Sequence, residues 1–218
     1  MLSFILNQNL VLFLLASDFP AENPRTQKRT ILIRNVGINT MNINYQLTNS
    51  DFLEYQLYTS SKSELHKKRR RNSRIIIPIL FLLYGFYLTQ KDENYIGILV
   101  FGITALLWFM LYPMYSKWRY ERHFKKHVEE NYKNRINKPV EIDFDENSVN
   151  AKDFTSESKI NGTELKELIE TKNHFFIKLT TDLSLIVPKH AIENQTEFKK
   201  RVTELGAEYV DELNWEWK

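Results

Sequence analysis

The chain has 218 residues, a net charge of +3 and no cysteine. That length holds one ordinary domain or a small domain with added segments. The small net charge argues against a chain that coats itself on nucleic acid, and the missing thiols exclude disulfides, thiolate metal sites and cysteine nucleophiles.

Residues 1–40 begin MLSFILNQNLVLFLLASDFP, an apolar stretch with no Lys or Arg ahead of it, interrupted by Asn7, Gln8 and Asn9. This is a poor signal peptide. From Met41 the chain reads consistently, so residues 1–40 are expected to be an upstream or dispensable extension, with Met41 a start. NINYQL alternates Ile43, Tyr45 and Leu47 in the manner of a strand. Thr48 followed by Asp51 three residues later then caps a helix. A basic segment completes the part from 41 to 74: Lys67, Lys68, Arg69, Arg70, Arg71 and Arg74.

Residues 75–115 hold two apolar runs. The second, Tyr95 to Tyr115, carries no charge and would extend about 31 Å as a helix, the thickness of a hydrocarbon core. Its ten Leu, Ile, Val or Phe side chains favour insertion by roughly 3 to 6 kcal/mol. The first, spanning 75–89, is shorter, but Arg74 on one side and Thr89 with Gln90 on the other can reach the interfaces. Pro78 falls in its first apolar turn, where a lost backbone donor costs less. Since only QKDEN (90–94) separates the runs, they are expected to form an antiparallel transmembrane hairpin, with the small residues Gly97, Thr104 and Ala105 on the helix-packing face.

Charge asymmetry gives an orientation. Basic residues precede the first span, and Lys117, Arg119, Arg122, Lys125 and Lys126 follow the second, whereas the loop sets Lys91 against Asp92 and Glu93. Both flanks, and both termini, are therefore expected in the cytoplasm. Tyr84, Tyr87 and Tyr95 near one interface, and Trp108, Tyr112, Tyr115 and Trp118 near the other, suit aromatic belts. The eleven flanking cations are expected to be topogenic and to face anionic lipid headgroups rather than nucleic acid.

Residues 116–138 are expected to extend the second helix as a basic, amphipathic juxtamembrane segment. Tyr120, Phe124, Val128, Tyr132 and Ile136 form its apolar stripe, beside a row containing Arg119, His123 and His127. From Pro139 the period becomes two. Val140, Ile142 and Phe144 form one strand, SVNAKDFTSESKI and ELKELIET hold weaker ones, and Phe175, Ile177, Leu179 and Leu183, Leu185, Val187 flank a TTD turn as a hairpin. Pro188 ends the strands. Asn194 with Glu197 caps a last helix whose Phe198, Val202 and Leu205 share one face. The expected class is an α+β membrane protein: a two-helix transmembrane hairpin plus a small cytoplasmic antiparallel β domain, residues 139–218, capped by a C-terminal helix.

The order of these parts, with LTNSDF and VPKHAI, resembles the YcxB-like family of bacterial membrane proteins over most of residues 41–205. The resemblance implies a cytoplasmic domain similar to the bacterial pleckstrin-homology (PH-like) fold, in the bacterial inner membrane. Where the family pattern suggests an aromatic before the LKELIE strand, this chain has Leu165, which leaves the register there open. The family supplies no established activity to carry over.

Chemistry is otherwise sparse. His123 and His127 have the i, i+4 spacing of a metal pair, but Phe-Lys-Lys lies between them and repels a cation. Asp143 to Phe154 imitates a calcium loop, yet Ser148 stands where the turn needs Gly and Phe154 where it needs a bidentate Glu. Asn161 and Asn194 head glycosylation acceptors that the topology puts in the cytoplasm. No nucleophile elbow, Walker loop or dinucleotide motif is present, so neither enzyme activity nor a cofactor is expected. The spans lack the ionisable residues of an ion pathway, which disfavours a transporter acting alone. The expected function is a membrane-anchored cytoplasmic interaction module that binds a protein, a peptide or a lipid headgroup. The alternative is an accessory or sensory subunit of a membrane transporter or signalling complex.

Overall fold

The computed structural model describes residues 41–92 and 95–217; the expectation for residues 1–40 lies outside them. The described residues form two compact units, one of 41–52 with 132–215 and one of 53–131 with 216 and 217.

The first unit is built from two four-stranded sheets. β1 (Met41–Gln46), β2 (Pro139–Phe144), β3 (Ser148–Asp153) and β4 (Glu157–Asn161) pair antiparallel in chain order. Ile43 and Tyr45 of β1 are buried and their neighbours exposed, as the period of two requires. β1 joins this sheet across a chain separation of about a hundred residues, so the β domain, expected from residue 139 onward, also draws on 41–46. The second sheet has the order β7-β6-β5-β8, from β5 (Leu165–Glu170), β6 (His174–Leu179), β7 (Ser184–Pro188) and β8 (Glu208–Asp211), the last preceded by α4 (Gln195–Glu204). β8 was not expected. It runs parallel to β5, so this sheet is mixed rather than wholly antiparallel. The doubtful register before LKELIE coincides with a shift between Leu165 and Glu167 in the β5–β6 ladder.

α4 closes the core. Asn194 accepts the Glu197 backbone N–H and returns a bond to its carboxylate, as expected for the cap. Phe198 is fully buried, edge-on to Phe144 of the first sheet at 5.6 Å and 5.0 Å from Phe175 of the second. One side chain thus joins both sheets and the helix. Where the chain leaves β4, Gly162 donates to the Asn147 carbonyl, and a Cβ there would lie 2.5 Å from the Leu205 carbonyl oxygen. Gly162→Ala should therefore cost about 1–3 kcal/mol by overpacking, visible as a lower melting temperature of the purified chain.

The second unit is helical. α1 (Asn49–Lys62) starts in the first unit and ends here; α2 (Glu64–Asp92) and α3 (Ile96–Asn131) follow. Both are long and apolar enough to cross a membrane. α2 takes the basic block and the first apolar run into one continuous helix, and Gln90 and Lys91, expected in the turn, remain helical. Pro78 consequently lies inside a helix rather than in a first turn. α3 passes through Pro113 and ends at Asn131, so Tyr132 and Ile136 fall beyond it. A proline deprives the carbonyl four residues back of its helical donor. For Pro113 that carbonyl is Phe109's, and the Arg74 guanidinium of α2 supplies the bond at 3.2 Å, lying over the Phe109 ring.

The helix-packing face differs in part from the one read from sequence. Gly97 does sit at the contact, and Ala105 is buried, but Thr104 is exposed and bonds to the Val100 carbonyl of its own helix. Gly85 takes the missing place. A Cβ on it would meet Phe101 Cβ at 2.8 Å and the Gly97 carbonyl at 3.2 Å. Thr89 then accepts from the Ile98 N–H, satisfying a first-turn donor of α3.

Candidate functional site

The basic block divides by geometry. On a continuous α2, Arg70 turns inward and is buried, while Lys67, Lys68, Arg69 and Arg71 are exposed and Arg74 is half-buried. Arg70 donates to the Ser60 and Ser61 carbonyls at the end of α1, where a helix leaves acceptors unpaired, and stacks on Trp217 at 4.7 Å. Nearby His66 meets the Tyr120 hydroxyl at 3.2 Å. Burial, then the charges of Arg69 and Arg70, push its pKa below the ordinary histidine value.

The second basic block is solvated. Lys117 pairs loosely with Glu121, Lys126 with Glu130, and Arg122 lies over the Trp118 ring; Arg119 and Lys125 are exposed. Exposed i, i+4 pairs of this kind contribute little. Among the described residues no group of three His, Asp or Glu, at His123 and His127 or elsewhere, can hold a metal. His127 instead meets the Asn131 side chain. The acids of the imitation calcium loop turn a hairpin, with Asp145 accepting from Asn150.

Two buried polar clusters in the first unit had no sequence signal, because their members are far apart in the chain. Asp51 accepts from the Thr48 backbone and hydroxyl, closing the expected cap, and its other oxygen lies 2.8 Å from His174 Nε2 of β6. Burial works to raise the Asp51 pKa, but the His174 and Thr48 bonds outweigh it and hold the carboxyl below its ordinary range. His174 is 3% exposed and stacks on Phe176, so the pair anchors the start of α1 to the sheet. The second cluster centres on Glu170, whose carboxylate takes Lys189 at 2.6 Å on one oxygen, and Lys199 at 3.1 Å with the Tyr209 hydroxyl at 2.6 Å on the other. Burial again opposes ionisation, and the three donors overcome it, drawing the Glu170 pKa down to about 2.

An open groove of about 560 Å³ lies on the first unit between β1, an edge strand among the described residues, and α4. Asn42 and Asn44 form one wall; Glu197, Lys200, Arg201 and Glu204 contribute to the other. Arg201 reaches past it to the Asp145 carbonyl at 2.6 Å, which fixes the helix wall.

The profile of the family described as YcxB-like protein matches residues 144–200. This segment is YcxB-like. It runs from the end of β2 into α4, and so contains Phe144, Phe175 and Phe198 together with Glu170, Lys189 and Lys199. The YcxB-like segment is thus the part that closes the core and carries the Glu170 cluster. No curated protein and no solved structure matches the chain.

Proposed function

We propose that the chain is a membrane-anchored interaction module: α2 and α3 cross the cytoplasmic membrane as a hairpin, and the two-sheet unit, PH-like in arrangement, recognises a protein partner on the cytoplasmic side. The observation that carries this reading is the exposure of apolar side chains along both helices, among them Leu83 at 60%, Leu99 at 64% and Met110 at 65%. In water such a surface would drive aggregation, and in lipid it is satisfied. The basic flanks favour the cytoplasmic side for both helix ends. Anchoring raises the local concentration of the module beside membrane partners, so weak contacts are occupied. The groove between β1 and α4 supports an extended peptide as the bound element, because an edge strand offers unpaired backbone groups for strand addition.

Photocrosslinking in intact membranes tests this. A photoreactive residue replacing Asn44 should give a discrete adduct with a partner protein, and one replacing Leu106 on the exposed face of α3 should give none. Adducts confined to Leu106 would overturn the module and favour a subunit that packs on other membrane helices.

A further inference from the structure

We propose that a cavity at the basic end of the α2–α3 hairpin is a binding site for the phosphate of an anionic phospholipid. The inference rests on the membrane-inserted reading above and gives it a specific ligand. The cavity is an open pocket of about 900 Å³, and Lys67, Lys68, Arg70, Arg71 and Arg74 of α2 line it. Among the described residues its sole acidic lining residue, Glu64, is paired with Lys67 at 2.9 Å. Arg70 is engaged by carbonyls and by Trp217, and Arg74 spends Nε on Phe109. Lys68 and Arg71 make no ion pair among the described residues.

Other lining residues add neutral donors. Ser116 of α3 is 3% exposed, and its hydroxyl has no hydrogen-bond partner among the described residues; the same holds for the buried indole Nε1 of Trp217. A buried donor left unmet costs about 1–3 kcal/mol, so an acceptor that enters the cavity and draws these two side chains toward it recovers that cost. Hydroxyl, indole N–H, ammonium and guanidinium can all donate here, and the lining is strongly cationic, with five Lys or Arg against Glu64, which matches a phosphodiester and repels a cation. Lipid rather than free phosphate fits the position. Arg74 directly precedes Ile75 and Ile76, exposed at 45% and 51%, so a bound phosphate would have its acyl chains along an apolar helix face.

The test uses the full chain in nanodiscs of equal phosphatidylglycerol and phosphatidylcholine, with the lipids that stay bound on release read by native mass spectrometry. Phosphatidylglycerol should be retained in clear preference, and excess inorganic phosphate should not displace it. The double variant Lys68→Gln, Arg71→Gln should lose that preference by about tenfold or more, and Ser116→Ala should weaken it while leaving the fold intact. Removing the same charge outside the cavity, by Lys125→Gln with Lys126→Gln, should change nothing. Equal loss in both double variants would reduce the site to diffuse surface attraction and overturn the proposal, as would displacement by inorganic phosphate. A chain that enters nanodiscs but shows no lipid preference defeats this inference alone; one that fails to enter them defeats the membrane reading as well.

Discussion

Phe198→Ala should lower the stability of the two-sheet unit by about 3–5 kcal/mol, the range for removing a fully buried aromatic ring. The ring is 0% exposed and contacts both Phe144 and Phe175, so its loss opens a cavity where both sheets meet α4. Neighbouring rings belong to paired strands and cannot collapse into the space without breaking ladders, which places the cost at the upper end. For a unit of this size the melting temperature should drop by about 12 °C or more. Lys200→Ala, two residues away with only a loose pair to Glu204 at 3.8 Å, should stay within about 0.5 kcal/mol of the parent. Thermal melting of the purified chain followed by aromatic circular dichroism checks both. A Phe198→Ala melt indistinguishable from that of Lys200→Ala would mean that the ring does not close this core.

Acid should unfold the same unit through Glu170. Its carboxylate is 5% exposed, and its folded pKa of about 2 lies below the ordinary value of 4.5. A carboxyl depressed in this way stabilises the fold above its unfolded pKa, and the contribution disappears as pH falls through the folded value. The window is therefore pH 4.5 down to about 2, and the contribution at neutral pH is on the order of 3 kcal/mol. Glu170→Gln should remove it and leave Lys189, 14% exposed, without its anion, a further cost of the kind expected when one partner of a buried pair is deleted. The variant should be less stable at pH 7, and its difference from the parent should shrink steadily between pH 4.5 and 2. Because Asp51 and Asp153 of the same unit also sit below their ordinary range, the parent's own acid profile mixes several carboxyls, and the difference between parent and variant isolates Glu170. A difference that stays constant across this window would rule out Glu170 as the titrating group.

Local pattern carried much of this architecture. The alternation in NINYQL and PVEIDF, the hairpin around TTD and the Asn194–Glu197 cap each depend on residues close in sequence, and each forms where expected. What sequence concealed depends on distance along the chain. β8 is four residues long with Tyr209 40% exposed, so it has no alternation to read, and it exists because Glu170 and the β5 edge receive it. The Asp51–His174 bond joins residues 123 positions apart. Gly85 has no signal in the periodicity of α3, because close approach needs a small residue on both helices and Gly85 belongs to α2. The basic block looked uniform as text; only its helical phase separates Arg70, which holds the end of α1, from Lys68 and Arg71, which do not.

Membrane crossing by the α2–α3 hairpin is the claim on which the functional account depends, and thiol labelling tests it most directly. The chain contains no cysteine, so each introduced thiol is a single target. Gln90→Cys, exposed in the last turn of α2, and Glu157→Cys, on the exposed surface of β4, are each treated in intact cells with a membrane-impermeant maleimide. The account predicts that Cys at 90 is labelled from outside, whereas Cys at 157 is labelled only after the membrane is opened. Protection of both positions until permeabilisation, or labelling of 157 alone, would contradict it.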